Sequence, residues 1–391
     1  MLRSTIALAS CLAFACVEVP DDEVVIDEAT AALTGGAVAH RPGVVQISIP
    51  GDPQVRTGLL VAPDLVMVSR RWFHSGMTAS SLTVRHGATA TSPTQPGWEL
   101  TVNNYMPMAF LQVAQPFTGV PAVTFTSRTP AQLVGNGASC FGFDSATVFG
   151  RAGQTIVAVD GEREVLGEAT PNGLEDHDAG APCFNAANGF IGFVLETRGS
   201  GASYRSRIFA INDTVWHVQN HQRLARVRRA SPSPQGFKLQ YEASQFTAMC
   251  ADTASNPYDR AAVSSFPCHG GKNQRWLMDL ENPNGPAFIN LQTATCIDVP
   301  GGTTVPGTQL LLNRCNGGTN QVFQQGRVGP ADTGATLAPA NSPTNWAATP
   351  PRRTLCMVAR GGASALSSVL EQATCSTNNQ PFTFELWKLV L

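Results

Sequence analysis

Cysteine is the residue type whose spacing in this chain most directly indicates chemistry. The 391 residues include 10 cysteines, and three pairs of them lie in the second half: Cys250 with Cys268, Cys296 with Cys315, and Cys356 with Cys375. The members of a pair stand 18, 19 and 19 residues apart, which predicts one local disulfide per pair. Closing such a loop stabilises a fold by roughly 3 kcal/mol in the chain-entropy model. Zinc binding is the competing use of cysteine, but the sequence has no Cys-x-x-Cys pair, so we predict no metal site.

An Asn-Gln pair follows each cysteine pair, so the second half is a threefold repeat from about Phe237 to Leu391. The three motifs read Asn273-Gln274-Arg275-Trp276, Asn320-Gln321-Val322-Phe323 and Asn379-Gln380-Pro381-Phe382. A repeat with its own cysteine pair in each unit predicts three lobes, each held by its own disulfide. A Pro/Ala/Thr-rich insertion, Gly326 to Arg352, separates the second and third units and is predicted to be a surface loop.

These repeats resemble the ricin B-type lectins, a β-trefoil family whose lobes each end in Gln-x-Trp. The resemblance covers nearly all of the second half and implies a sugar site in each competent lobe. In that family an Asp after the first Cys accepts hydrogen bonds from sugar hydroxyls, an aromatic residue before the second Cys stacks on the ring, and the Asn-Gln pair completes the polar contacts. One sugar face is apolar and suits an aromatic plate, while its edge needs fixed donors and acceptors.

The three lobes retain different parts of that site. The first lobe has a full set of candidates: Asp252, Ser264, Phe266, Asn273 and Gln274. The second keeps Asp298, Asn320 and Gln321 but has Asn313 in place of the aromatic residue, so we expect weaker binding there. The third has Val358 and Ala373 at the key positions and is expected to serve packing alone. The predicted ligand is a galactose-type sugar or a polysaccharide such as xylan, and purely structural lobes are the alternative.

The first half, from Leu33 to about Ala225, resembles the trypsin/chymotrypsin family, which has two six-stranded β-barrels with the active site between them. Three segments carry this resemblance: Leu33-Thr34-Gly35-Gly36 at the family's mature N-terminus, the alternating strand Val44 to Ser48, and the strand pair from Thr57 to Val68. The resemblance implies that Cys140 and Cys183 form a disulfide in the second barrel. It also implies a closing strand and a C-terminal helix between Ile208 and Gln222.

Residues unsuited to catalysis occupy the family's catalytic positions. Arg71, in Ser69-Arg70-Arg71-Trp72, stands where the general-base histidine is expected, and an arginine stays protonated. Pro107 replaces the orienting carboxylate, and Ala179, in His177-Asp178-Ala179-Gly180, replaces the nucleophile. A Ser-His-Asp mechanism needs a hydroxyl, an imidazole and a carboxylate, so we predict a pseudoprotease domain rather than an enzyme.

Further departures from the family leave other functions open. The cysteine pair that brackets the histidine loop is absent, with Trp72 at one end and Arg56 at the other. A lectin-targeted serine-type endopeptidase with a non-standard site is the enzymatic alternative, for which His177 lies in the relevant loop. His74 would approach the base position if the alignment shifted by three residues. A barrel pair without catalysis would offer its surface to a protein partner, and a surface adhesin without a small ligand is a third hypothesis.

The N-terminus has the pattern of a secretory signal peptide, residues 1–16, with Arg3 before an apolar run. Cys11 and Cys16 each follow small residues, as in a bacterial lipobox, and we favour Cys16 over Cys11 as the lipidation site, with ordinary cleavage as the alternative to lipidation. Residues 17–32 would then be a flexible tether. This predicts a secreted or cell-envelope lipoprotein that contacts the membrane only through its lipid anchor.

Amino-acid composition indicates the class of secondary structure that must position these residues. Charged residues make up 14%, and 36 Gly and 27 Pro indicate many turns between short strands, so the predicted class is all-β. The net charge of −2 and the lack of a basic block exclude a nucleic-acid partner, and no cofactor is predicted. The predicted order is a trypsin-like double β-barrel over 33–225, a linker over 226–236, and a three-lobed β-trefoil over 237–391.

Overall fold

A computed structural model of the chain shows two closed six-stranded barrels followed by a region of three β-lobes. It describes residues 40–73, 76–87, 89–102, 106–143, 149–169, 178–198, 205–244, 247–253, 260–328, 335–345, 352–360, 368–375 and 386–391. The all-β class and the trypsin-like and trefoil architectures predicted from the sequence are confirmed. In this part of the chain, no helix has the length and hydropathy needed to cross a membrane.

The first barrel closes in the strand order β1-β2-β3-β6-β5-β4. Its strands are β1 Val44–Ser48, β2 Val55–Ala62, β3 Leu65–Ser69, β4 Thr83–Arg85, β5 Thr94–Val102 and β6 Met108–Val113. The strands form here because they are rich in β-branched and apolar residues. Successive side chains point to opposite faces, and those on one face, such as Val45, Ile47 and Val66, meet in one buried cluster.

The second barrel repeats this plan in the order β10-β11-β12-β9-β8-β7. Its strands are β7 Gly137–Phe143, β8 Phe149–Val159, β9 Glu164–Ala169, β10 Pro182–Asn185, β11 Phe190–Arg198 and β12 Arg205–Ala210, preceded by the short helix α1 Pro130–Leu133. A capping box between Thr129 and Gln132 starts that helix. Cys140 and Cys183 face each other on neighbouring strands and form the expected disulfide.

Helix α2, Val215–Ala230, follows the second barrel and contacts both halves of the chain. Its Leu224 and Val227 lie in one buried cluster with Leu277 of the first lobe and Ile289 of the second. Arg223 bonds the carboxylate of Asp279, which is fully buried, at 2.5 Å. The helix continues into the segment predicted as a linker, because no Gly or Pro interrupts the chain before Pro232.

Each trefoil lobe contributes strands to a ring in which the last strand of one lobe pairs with the first strand of the next: β16 with β17, β21 with β22, and β27 with β13. The first lobe contains β13 Lys238–Ser244, β14 Thr247–Asp252, β15 Ser264–Pro267 and β16 Trp276–Asp279. The second contains β17 Ala287–Asn290, β18 Cys296–Asp298, β19 Thr308–Gln309, β20 Leu311–Asn313 and β21 Phe323–Val328. The third contains β22 Ala335–Pro339, β23 Thr344–Asn345, β24 Arg352–Arg353, β25 Leu355–Ala359, β26 Ser368–Thr374 and β27 Leu386–Val390.

All three lobe disulfides join the predicted pairs. The prediction of a surface loop between the second and third lobes is wrong for the part that forms β22. Leu337 and Ala338 of this strand are buried, and the strand pairs with both β21 and β27. A short strand of Ala, Thr and Pro residues carries little apolar periodicity, which is why composition suggested a loop.

The motif that closes the third lobe also differs from the sequence-based assignment. Trp387 Nε1 donates to the carbonyl of Met357 at 2.9 Å, just as Trp276 Nε1 donates to Ala251 at 3.1 Å in the first lobe. Met357 and Ala251 each follow the first cysteine of their lobe. Trp387 therefore takes the core position assigned to Phe382 from the sequence. Phe382 itself lies outside the described residues, as do Asn379 and Gln380.

Two buried histidines of helix α2 should make stability depend on pH. His221 stacks on Phe110 with ring centroids 4.0 Å apart, and His217 lies 4.6 Å from His221. Burial lowers the pKa of His217 from 6.5 to about 4 and also lowers that of His221. A lowered pKa means that the unfolded chain binds the proton more tightly. The stabilisation is therefore complete above pH 6.5 and is lost as the pH falls toward 4.

We expect the free energy of unfolding to fall between pH 7 and pH 4, by about 3 kcal/mol from His217 alone. His217→Phe should flatten this pH dependence, as measured by denaturant unfolding at a series of pH values. His269→Gln is the control, because that side chain is 45% exposed. An unchanged pH dependence in His217→Phe would contradict the assignment.

Candidate functional site

Strands β14 and β15 position the candidate residues of the first lobe. The two strands are antiparallel, with Asp252 opposite Ser264 and Cys250 opposite Phe266. Because side chains alternate along a strand, Asp252 and Phe266 lie diagonally on the same face. The disulfide between Cys250 and Cys268 holds the ends of this hairpin together.

The carboxylate of Asp252 is buried and accepts hydrogen bonds from two side-chain amides. Asn273 Nδ2 and Gln274 Nε2 each lie 2.9 Å from Asp252 Oδ2. A single 3₁₀ turn, Lys272–Gln274, places both amides. Gln274 is also bonded to the backbone, because its Oε1 accepts from His269 N at 2.7 Å and its Nε2 donates to Pro267 O at 3.0 Å. The structure thus brings Asp252, Asn273 and Gln274 together around one oriented carboxylate.

Phe266 and His269 form the rim beside this carboxylate. The phenyl ring of Phe266 is 44% exposed, which is unusual for a large aromatic side chain. The ring of His269 lies perpendicular to it, with centroids 6.0 Å apart. Ser264 completes the predicted group, and its Oγ lies 3.5 Å from the carbonyl oxygen of Asp252. An exposed aromatic plate therefore stands next to a buried, oriented acceptor.

His269 is a member of this site that the sequence analysis missed. Its Nε2 lies 3.4 Å from Asp252 Oδ2, and its Nδ1 accepts from Gly271 N at 3.1 Å. This pair of contacts assigns the proton of the neutral ring to Nε2, which faces the carboxylate. The available signal was its position in the short loop between Phe266 and Asn273, both of which were already candidates.

The second lobe keeps the polar half of this arrangement. Asn320 Nδ2 and Gln321 Nε2 lie 2.9 and 2.8 Å from Asp298 Oδ2, and the carboxylate is buried. Asn313 stands opposite Cys296, in the register that Phe266 has in the first lobe. The second lobe therefore presents the same acceptor with no aromatic plate at this position.

The third lobe has the same strand register but different chemistry. Cys356 pairs with Ala373, and Val358 pairs with Glu371. Val358 is buried and apolar, so the position equivalent to Asp252 has no carboxylate. The carboxylate of Glu371, on the opposite strand, forms an ion pair with Arg360 Nε at 2.5 Å.

Hydrogen bonds join the chain segments of Arg71, Pro107 and Ala179, the residues that the sequence resemblance assigns to the catalytic positions. Arg70 N donates to Pro107 O at 2.9 Å, which places the loop of Arg71 beside Pro107. Trp72 Nε1 donates to Ala179 O at 2.9 Å across the barrels. The assignment of these residues to catalytic positions stays a prediction. His74 and His177 lie outside the described residues.

A cation–π contact joins the two residues that the sequence analysis assigned to the ends of the absent cysteine pair. The guanidinium carbon of Arg56 lies 3.8 Å from the centroid of the Trp72 ring, and Arg56 is buried. Its Nη2 also bonds Asp52 at 2.6 Å. Arg56 and Trp72 are the residues assigned from the sequence to the two ends of the lost bridge. Their contact holds the same two chain segments together without sulfur.

Residues 239–325 match the ricin-type β-trefoil lectin domain. The matched segment contains both polar clusters, around Asp252 and Asp298. No curated protein matches the chain in sequence. In the described residues, no group of three or more His, Cys, Asp or Glu side chains could hold a metal ion.

Three solved structures are each similar to less than half of this chain. A designed threefold-symmetric protein, ThreeFoil, is 19% identical over 40% of this chain and 97% of its own, with a TM-score of 0.32. An inactivated protease paralogue from the scabies mite, S-I1, is 12% identical over 46% of this chain and 94% of its own, with a TM-score of 0.41. Kallikrein-related peptidase 10 is 14% identical over 46% and 96%, with a TM-score of 0.39.

The Arg56–Trp72 contact should stabilise the first barrel. Replacing Arg56 with Met removes the cation–π contact and leaves Asp52 without this partner, so we expect a loss of about 2 kcal/mol in the free energy of unfolding. Thermal unfolding would measure this as a lower Tm. Arg71→Met is the matched control, because Arg71 is exposed and its guanidinium carbon lies 5.1 Å from the same ring. Equal effects of the two substitutions would contradict the assigned role.

Proposed function

We propose that this protein binds carbohydrate through the first lobe of its trefoil and that its double barrel is not catalytic. The observation that carries the proposal is the buried carboxylate of Asp252, held by two amides beside the exposed ring of Phe266. Sugar hydroxyls would meet an acceptor whose orientation is already set, so little ordering would be required on binding. The apolar face of a sugar ring would stack on Phe266.

The ligand class follows from the same arrangement. Stacking on one aromatic ring requires a sugar with a flat C–H face, and vicinal hydroxyls at its edge would bond Asp252 and Asn273. Galactose-type sugars and the xylose units of xylan both meet these requirements. His269 Nε2–H would be a further donor at the rim, beside the carboxylate. The second lobe should bind more weakly, because Asp298 has its amides but no plate.

The absence of catalysis is supported by the residue types at the three assigned positions. Ala179 has no hydroxyl, Arg71 cannot accept a proton and Pro107 has no carboxylate. The Trp72 indole bonds the backbone carbonyl of Ala179, so it contacts the chain at the residue that we assign to the nucleophile position. A barrel pair of this kind would serve as a binding surface for a protein partner.

The cellular location we propose is secreted or in a bacterial cell envelope. The four disulfides are typical of proteins that fold in an oxidising compartment. Residues 1–16 and the lipidation candidate Cys16 lie outside the described residues, so the signal peptide and the lipid anchor are proposed from the sequence alone.

Carbohydrate binding is tested first on a glycan array and then by calorimetry with each array-positive sugar. Phe266→Ala should weaken binding about 10-fold, because it removes the stacking plate at an exposed position where folding is not at risk. Val305→Ala is the control, since it truncates another exposed apolar side chain of the trefoil, 62% exposed. Asp298→Asn should change total affinity little. Equal affinities of wild type and Phe266→Ala would refute the site.

Catalytic status is tested by labelling with a fluorophosphonate probe and by casein digestion, with active trypsin as the positive control. We expect neither labelling nor digestion. Ala179→Ser should also stay unlabelled, because a serine without a general base is not activated. Stoichiometric labelling of the wild-type chain would refute the pseudoprotease proposal and favour a serine-type endopeptidase.

A further inference from the structure

Lys272 links the sugar-site turn of the first lobe to the first barrel. It is the first residue of the 3₁₀ turn that places Asn273 and Gln274 on Asp252. Its Nζ donates to the carboxylate of Glu99 and, at 2.8 Å, to the carbonyl of Leu100, both on strand β5. One side chain therefore connects a barrel strand to the residues that orient the candidate sugar acceptor.

The anchor on the barrel side is a largely buried carboxylate. The Glu99 side chain is 12% exposed and that of Lys272 is 47% exposed, so solvent screens the carboxylate end of this ion pair less than the ammonium end. Glu99 and Asp64 both interact electrostatically with Arg228 of helix α2, which is itself buried. Arg228 in turn donates to Gln112 on strand β6 at 3.0 Å. Glu99 is thus close enough to the buried guanidinium of Arg228 for the two charges to attract each other.

The second lobe lacks this link at the equivalent position. Its 3₁₀ turn, Thr319–Gln321, places Asn320 and Gln321 on Asp298 in the same way. The turn begins with Thr319 in place of Lys272, and a threonine has neither the length nor the charge to reach a carboxylate on another domain. The lobe with the complete candidate site is therefore the lobe with a lysine directed at the barrel.

We propose that Glu99 and Lys272 are positioning residues for the first-lobe sugar site, which makes the double barrel part of the lectin's binding apparatus. The inference rests on the proposed sugar-binding function. By holding the start of the turn, the pair keeps the amides of Asn273 and Gln274 in place on Asp252 before a sugar arrives. Linkage then requires the reverse effect, so that a bound sugar stabilises the contact between the two domains.

The test uses the full chain and calorimetry with lactose and xylotriose as probes. Glu99→Gln and Lys272→Gln should each raise the Kd about 3- to 10-fold for the sugar that binds. Lys272→Arg keeps the charge and should retain most of the affinity. Glu281→Gln is the matched control, because it breaks another ion pair at the same junction. In that pair the side chains of Arg226 and Glu281 are 60% and 56% exposed. Unchanged affinity in both glutamine variants would overturn the proposal.

A second readout separates failure of the positioning pair from failure of the sugar proposal. Amide hydrogen exchange at Gln274 and Arg275, which bond Gly271 O and Lys272 O within the turn, should be faster in Lys272→Gln than in wild type. Equal exchange rates would overturn the positioning role whether or not a sugar binds. Faster exchange in a protein that binds neither probe would refute the sugar-binding function and support the link to the barrel.

Discussion

The arrangement of the two domains depends on the buried charge of Asp279. This carboxylate has no exposure to solvent, and the guanidinium of Arg223 reaches it from helix α2, in the other half of the chain. Leaving such a charge buried without its partner would cost several kcal/mol, so the trefoil surface and the helix need each other. Leu224 and Val227 of the same helix lie in a buried apolar cluster with residues of the trefoil. A buried ion pair and apolar packing therefore join the barrels to the lectin-like region, and the candidate sugar site has a defined orientation relative to the barrels.

Comparing the three lobes distinguishes the residues that the trefoil fold requires from those that a ligand would require. The strand that carries the first cysteine pairs in the same register in every lobe, with that cysteine opposite Phe266, Asn313 or Ala373. The Asp–Asn–Gln cluster persists in the second lobe because its members satisfy one another's hydrogen bonds, which a buried polar group requires. The aromatic residue at the rim has no such structural partner and differs in each lobe. Phe266 is thus a stronger indicator of binding than Asp252.

The sequence was sufficient wherever the relevant contacts are local or follow a repeat. The cysteine spacings predicted all three lobe disulfides, and the Asn-Gln pairs located both polar clusters. Trp387 was missed because the third lobe has extra residues before its last strand, which shifted the alignment onto Phe382. Strand β22 was missed because its composition resembles a loop. The Lys272–Glu99 contact joins residues 173 positions apart, and no local sequence pattern predicts a contact over that separation.

The Arg56–Trp72 contact also determines which chemical conditions would destabilise the first barrel. The sequence has no cysteine between Cys16 and Cys140, so all of the strands of the first barrel lie in a cysteine-free segment. Thiol reductants would attack the second barrel and each lobe but have no bond to cleave in the first barrel. Its chain segments are joined by a stacked cation and an ion pair, whose strength responds to dissolved salt rather than to electron donors. The protein therefore combines a part that is sensitive to redox potential with a part that is not.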